Sequence, residues 1–237
     1  MTSETQPGTT DGIDWSRHYQ EMADVVGFTP TTDKEQIHRC LLVESLLPRR
    51  GISTLLDVGC GDGYFCHYIT GRRKGLAATA VDLAKRRLVR ARERYPNVRF
   101  CQSEILNLPY CSASFDAVIS MEVLEHLPDA GKAMAELARV SKRWVIVTVP
   151  YKERLRQMLC PHCGKTFPLH GHIQSFDPQR FQELAQSAGL RVDRLVTYYH
   201  TRSHEMGMPV SLQRLEMCLR RVLSDTAPFM GVRMEKV

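Results

Sequence analysis

The chain has 237 residues, 43% of them hydrophobic and 24% charged, with a formal net charge of +6. That balance supports a sizeable buried core and excludes a chain too polar to fold. No apolar run reaches about 18 residues, which argues against a membrane span.

The start, MTSETQPGTTDGID, lacks the apolar stretch of a secretory signal. We expect a disordered tail over residues 1–12 and a cytoplasmic protein with its eight cysteines reduced. Next, DWSRHYQEMADVVGF and DKEQIHRCLLVESLLP read as helices. In the second, Asp33 is a candidate cap, Ile37, Leu41 and Leu42 form an apolar stripe, and Pro48 is the stop. From residue 51 the rhythm alternates. TLLDV, AATAV, VRFCQ, FDAVIS and RWVIVTVP read as buried strands; YFCHYIT, AKRRLVRARERY and AGKAMAELARVS read as helices between them. Alternation of this kind predicts an α/β fold, a doubly wound and mostly parallel sheet covered on both faces. In the second of these helices Leu88, Ala91 and Val89 are the expected inward positions, with the arginines solvated.

Residues 151–176 break the rhythm and read as an insertion. DPQRFQELAQSAGL returns to helix, capped by Asp177, opened by Pro178 and closed by Gly189. RVDRLVTYY reads as a strand, SLQRLEMCLRRVL as an amphipathic helix, and GVRMEKV as a final edge strand. The expected organisation is one domain over 13–237. Its parts are N-terminal cap helices (13–50), a cofactor-binding core (51–150), the insertion (151–176), and C-terminal helices and strands (177–237).

LLDVGCGDGYF, residues 55–65, joins a strand to a helix through Gly59, Gly61 and Gly63. Such a turn brings backbone close to a ligand. Tyr64 stands where a dinucleotide fingerprint has its last glycine, and the Lys-Ser/Thr of a phosphate loop is missing. Asp57 and Asp62 beside the turn disfavour a pyrophosphate and suit a cofactor with a cationic end. Asp82, at the tip of the second strand, can accept both hydroxyls of a ribose. S-adenosylmethionine fits all three features.

In order and spacing, LLDVGCGDGYF, AVDLAKRRL, SEILNLPYCSASFDAVISMEVLEHL and VIVTVP resemble the successive motifs of class I S-adenosylmethionine-dependent methyltransferases, of the type 11/12-like group. The resemblance runs from about residue 52 to 150. It implies a seven-stranded Rossmann-like sheet, with Asp57, Gly59, Cys60 and Gly61 at the methionine end. By the same resemblance Asp82 holds the ribose, Leu83 and Ile105 flank the adenine, Glu104 lies near its amino group, and Met121 near the sulfonium. Relatives often carry Gly-Asp where this chain has Ser103-Glu104.

The acceptor side is expected at Glu122, Glu125 and His126, just past the fourth strand. Three readings stand. His126 is a base for a hydroxyl; or the three bind Mg2+ or another divalent ion, as the resemblance to ubiquinone-type and small-RNA 2′-O-methyltransferases implies; or LEHL only shapes the turn. Cys160-Pro161-His162-Cys163-Gly164, followed by His170 and His172, supplies a tetrahedral zinc set of two thiolates and two imidazoles. His162 is the substitute for His170, and His172 could instead join the acceptor-side group. The expected function is methylation of a small-molecule or sugar-like acceptor, at oxygen. RNA methylation and a non-catalytic binding protein are the alternatives. Oligomeric state is left open.

Overall fold

The computed structural model describes residues 17–21, 34–198, 208, 212, 215, 216, 219 and 229–237. Helix α1 (Lys34–Leu46) precedes the alternating region. There, β1 (Thr54–Val58), α2 (Tyr64–Arg72), β2 (Ala77–Asp82), α3 (Lys85–Arg94), β3 (Arg99–Gln102), β4 (Phe115–Met121), α4 (Ala130–Val140) and β5 (Ser141–Pro150) follow the expected order. A short hairpin comes next, β6 (Gln157–Leu159) and β7 (Thr166–Pro168), then α5 (Pro178–Ser187), β8 (Leu190–Tyr198) and β9 (Phe229–Lys236).

Seven strands form one sheet in the order β3-β2-β1-β4-β5-β9-β8. All neighbours are parallel except β9, which runs antiparallel to both β5 and β8. The expected fold class is therefore observed. GVRMEKV, however, is not an edge strand: β9 lies between β5 and β8, with Met230, Val232 and Met234 fully buried. Its alternating pattern was legible, but its place was not, because a long-range antiparallel insertion leaves no local signal.

Alternate positions of the central strands serve two cores. Leu56 and Val58 face the side covered by α4 and α5, with Met134, Leu137 and Phe181; Leu55 faces the side of α1 and α2, with Leu46, Phe65 and Ile69. This period of two is what a strand between helical layers requires. The Asp177 cap is made as anticipated, Asp129 caps α4 without having been anticipated, and the expected Asp33 cap lies outside the described residues. Asp129 Oδ1 accepts from Lys132 N and Asp177 Oδ1 from Arg180 N, each at 2.8 Å, and each such cap is worth about 1 kcal/mol. In α3, Leu88 and Ala91 are buried, but Val89 is 45% exposed, a correction to the expected inward face. At the far end of the sheet, Arg233 and Arg194 donate to the carbonyls of Leu46 and Ser45, meeting the orphan acceptors at the end of α1.

Residues 17–21 are helical, as are 212, 215, 216 and 219. The expected tail, and most of the expected helices around residues 14–28 and 211–223, lie outside the described residues. Among the described residues no helix is long and apolar enough to cross a membrane. The insertion is less irregular than its sequence suggested, because Gln157 to Leu159 pair antiparallel with Thr166 to Pro168.

Candidate functional site

Strand order reverses between β1 and β4, and in such sheets ligands bind outside the carboxyl ends of the strands at that point. A cavity of about 350 Å³ opens there, within the range of small-molecule sites. Gly59, Asp82, Leu83, Glu104, Ile105, Glu122 and His126 all line it. Asp57, Gly61 and Glu125 are not among its lining residues, and neither are Met121 and Cys60. Both pack into the core on the α1–α2 side, so the expected place of Met121 near a sulfonium does not appear in the lining.

The glycine turn is built by backbone bonds to β2. Gly59 N and Cys60 N both donate to Val81 O, at 2.8 and 3.0 Å. Gly59 has φ +78°, and a Cβ there would lie 2.4 Å from Val123 Cγ2. Gly61, at φ +56°, is different: a Cβ there would meet nothing within 4 Å. Its amide instead donates to Asp82 Oδ2 at 2.8 Å, while Ala84 N donates to Oδ1 at the same distance. The carboxylate is thus held in a fixed plane at the cavity wall. Burial raises its pKa, and the amides of Ala84 and Gly61 oppose that rise.

Asp57 is fully buried behind the turn. Burial pushes its carboxyl up to about 7, and among the described residues the Cys66 thiol is its hydrogen-bond donor, at 3.7 Å to Oδ2. Among the described residues Oδ1 has no partner. An orphaned buried carboxyl oxygen, an open space over Gly61, and Asp82 fixed at the strand tip together fit a cofactor with an ammonium and a ribose.

On the opposite wall Glu122 takes φ +53°. It is held by Thr148, whose hydroxyl donates to Oε1 at 2.7 Å and whose carbonyl accepts from Glu122 N at 3.0 Å. Glu125 is wholly buried, and among the described residues neither carboxyl oxygen has a hydrogen-bond partner. Burial, then the nearby Glu122, holds its pKa well above the carboxylate range. His126 Nδ1 lies 3.2 Å from Gly171 O, and Nε2 lies 3.9 Å from Glu125 Oε1. Burial, then His172, lowers its pKa to about 4. With a carbonyl beside it, Nδ1 carries the proton and Nε2 the lone pair. His172 stands edge-on to His126 at 4.8 Å between centroids, and its Nδ1 is 2.5 Å from Glu153 Oε2. One ligand atom each from Glu125, His126 and His172 lies within 4.8 Å of the others.

The four expected zinc ligands do not converge. Cys160 and Cys163 sit at the tip of the β6–β7 hairpin, while His170 and His172 follow its foot. Leu169 N still bonds Arg156 O across the foot at 2.8 Å. Four extended residues, roughly 13 Å, separate Arg156 from Cys160. Among the described residues, the group of three or more with metal-ligand spacing is Glu125, His126 and His172, without a cysteine. The sequence reading took closeness along the chain for closeness in space, and the hairpin separates the two halves.

Tyr19 also lines the cavity, with its ring edge-on to His126 at 5.5 Å. Arg87, Val123 and Leu127 join it. None had a sequence signal beyond its place on or after a helix.

Residues 56–147 match the family model described as a methyltransferase domain. The matched residues take in Gly59, Asp82, Leu83, Glu104, Ile105, Glu122 and His126 of the cavity lining. The chain is 31% identical over 115 residues to a Mycobacterium tuberculosis protein named "Probable S-adenosylmethionine-dependent methyltransferase"; the match covers 48% of this chain and 41% of that one. It is 27% identical to the ubiquinone biosynthesis O-methyltransferase of Thiobacillus denitrificans, over 70% of this chain and 78% of the relative. The malonyl-[acyl-carrier protein] O-methyltransferase of Pectobacterium atrosepticum is 32% identical, over 41% of this chain and 38% of its own. The chain thus spans about two fifths of the first and third of these relatives. Among solved structures, an S-adenosylmethionine-dependent methyltransferase from Mesorhizobium loti superposes with a TM-score of 0.62 at 15% identity, covering 83% of this chain and 96% of that one. The [4+2]-cyclase SpnF superposes with 0.61 at 20% identity, covering 84% and 80%. A methyltransferase and a cyclase on one architecture mean that the fold alone does not name the chemistry.

Proposed function

We propose that the protein transfers a methyl group from S-adenosylmethionine to an oxygen of a small-molecule acceptor. The observation that carries this reading is one cavity with two unlike walls: Asp82, Glu104 and Gly59 on one side, His126 and Glu122 on the other. Two O-methyltransferases among the relatives support oxygen as the accepting atom.

S-adenosylmethionine, when bound, supplies a methyl on a cationic sulfur. The chain's own residues do the rest. Asp82 accepts the ribose hydroxyls with the lone pairs that Gly61 and Ala84 leave free, and Leu83 and Ile105 flank the base. Asp57 and the turn carbonyls favour the ammonium. Alignment of acceptor oxygen, methyl and sulfur supplies about 7–11 kcal/mol of the barrier reduction. His126 Nε2 takes the hydroxyl proton, which adds about 10²–10⁴-fold. Its low pKa keeps that lone pair available at neutral pH.

A second reading is favoured by Glu125. A buried carboxyl with both oxygens unpartnered, beside two imidazoles, suits a divalent cation, which would take Glu125, His126 and His172 as ligands and lower the pKa of a bound hydroxyl. A labelled-methyl transfer assay over phenolic, enolic and sugar hydroxyls, with and without chelator, tests both readings. Transfer to oxygen that withstands chelation supports His126 alone. Transfer abolished by chelation and restored by Mg2+ or Mn2+ supports the metal. Cofactor binding without transfer to any hydroxyl would leave oxygen as the wrong atom.

A further inference from the structure

A second cavity, of about 890 Å³, opens at the far end of α1 and α2 from the glycine turn. Helix α2 starts at that turn and runs nine residues, roughly 13 Å, to Arg72. Five arginines line the cavity, Arg49, Arg72, Arg73, Arg194 and Arg233, with Glu44 as the carboxylate among them. They come from the ends of α1 and α2 and from β8 and β9. The fold, and not a basic run of sequence, gathers them.

Two of the five charges are met by carboxylates. Arg72 Nε donates to Glu44 Oε1 at 2.9 Å, and Arg233 Nε to Asp193 Oδ2 at 2.6 Å. The other three have no carboxylate partner among the described residues. Arg73 Nη1 donates to Pro48 O at 2.6 Å and Arg194 Nη1 to Ser45 O at 3.2 Å, both neutral carbonyls. Arg49 is exposed beside them. The carbonyl bonds fix two guanidiniums around the end of α1 and use only part of their donor sets. A helix C-terminus carries about half a negative charge, so three uncompensated cations exceed what capping α1 employs.

We propose that this cavity binds an anion carrying two phosphate groups, of the diphosphate-ester class. Guanidinium forks match phosphate oxygens in bidentate geometry. A phosphate monoester carries about −1.5 to −2 near neutral pH, which leaves the site positive; a diphosphate comes closer to balance. The site is concave, and its volume lies within the range of small-ligand pockets. That shape favours a small ligand over the face of a macromolecule. Glu44, held by the Tyr68 hydroxyl at 2.6 Å as well as by Arg72, is the charge that opposes the anion.

The test is a calorimetric titration of the full chain with inorganic pyrophosphate in low-salt, phosphate-free buffer. One saturable site is expected. Arg49→Ala and Arg194→Ala should each weaken it about tenfold, the loss implied by a hydrogen bond between charged groups. Glu44→Gln should tighten it about threefold by removing the opposing charge. Thermal unfolding of each variant shows that it is folded, and Arg49→Ala, with no ion pair to lose among the described residues, should melt with the wild type. Saturating S-adenosylmethionine should leave the pyrophosphate affinity unchanged, so this result stands or falls apart from the proposed reaction. No saturable binding, binding indifferent to Arg49 and Arg194, or competition by S-adenosylmethionine would overturn the proposal. Binding of an RNA oligonucleotide through the same arginines, without binding of pyrophosphate, would also overturn it and make this face a nucleic-acid surface.

Discussion

The amide of Gly61 donates to Asp82 Oδ2 at 2.8 Å, so the glycine turn and the tip of β2 are one unit before any ligand arrives. With Ala84 N on Oδ1, the carboxylate is oriented by two backbone amides. This wall of the cavity is thus preorganised, and a ligand bound against it would spend little binding energy on ordering it.

Asp82→Ala is expected to weaken S-adenosylmethionine binding by about 1.5–3 kcal/mol, the loss expected for hydrogen bonds to a charged group. Asp82→Asn, which retains one acceptor, should fall between. Calorimetric titration of the three proteins checks the order, and equal affinities would move the ribose away from Asp82.

Gly59→Ala and Gly61→Ala should separate folding from binding. Both positions have positive φ, which costs an alanine about 1 kcal/mol. Only at Gly59 does the methyl also meet Val123, at 2.4 Å. Thermal unfolding should therefore show the larger loss for Gly59→Ala. At Gly61 the new methyl enters open space, so stability should fall little while cofactor affinity falls strongly. Equal melting losses would contradict this distinction.

His126 has a folded pKa lowered to about 4 against an ordinary value of about 6.5. Over that interval the unfolded chain binds the proton that the folded chain refuses. Its contribution to stability is therefore intact above about pH 6.5 and lost as pH falls to about 4. His126→Gln should remove this part of the pH dependence. If His126 is the base, the acid limb of kcat/KM should lie near 4, and the same variant should lower kcat by about 10²–10⁴-fold with cofactor affinity unchanged.

Asp57 shows the opposite sign. Its folded pKa of about 7 exceeds the unfolded value of about 3.9, so the folded chain holds the proton more tightly. That contribution is full below about pH 4 and lost as pH rises to about 7. Relative to Asp57→Asn, the wild type should lose melting temperature across that window in ligand-free protein. A constant difference from pH 4 to 8 would show that Asp57 ionises normally.

The half of the cavity built around Gly59 and Asp82 was legible because it is local. Asp57, Gly59, Gly61 and Asp82 lie at strand ends, and strand, turn and helix follow from short apolar runs and their punctuation. Leu83, Glu104 and Ile105 were placed by motif order, and the cavity includes them. The other half depends on contacts far apart in the chain. Tyr19 reaches His126 across 107 residues of sequence, and His172 is turned toward it because Ile173 N and Gln174 N both bond Glu125 O, at 2.9 and 3.2 Å. Nothing in the pattern around residue 172 encodes that attachment. The same limit explains β9, whose partners are set by β5 and β8, and the separation of Cys160 and Cys163 from His170, which follows from a hairpin too short to announce itself by periodicity.

The most direct measurement is a calorimetric titration of the purified chain with S-adenosylmethionine, with Asp82→Ala alongside. One site per chain, weakened roughly tenfold or more in the variant, is the predicted result. No heat of binding in folded wild-type protein would contradict the assignment of this cavity and, with it, the proposed methyl transfer.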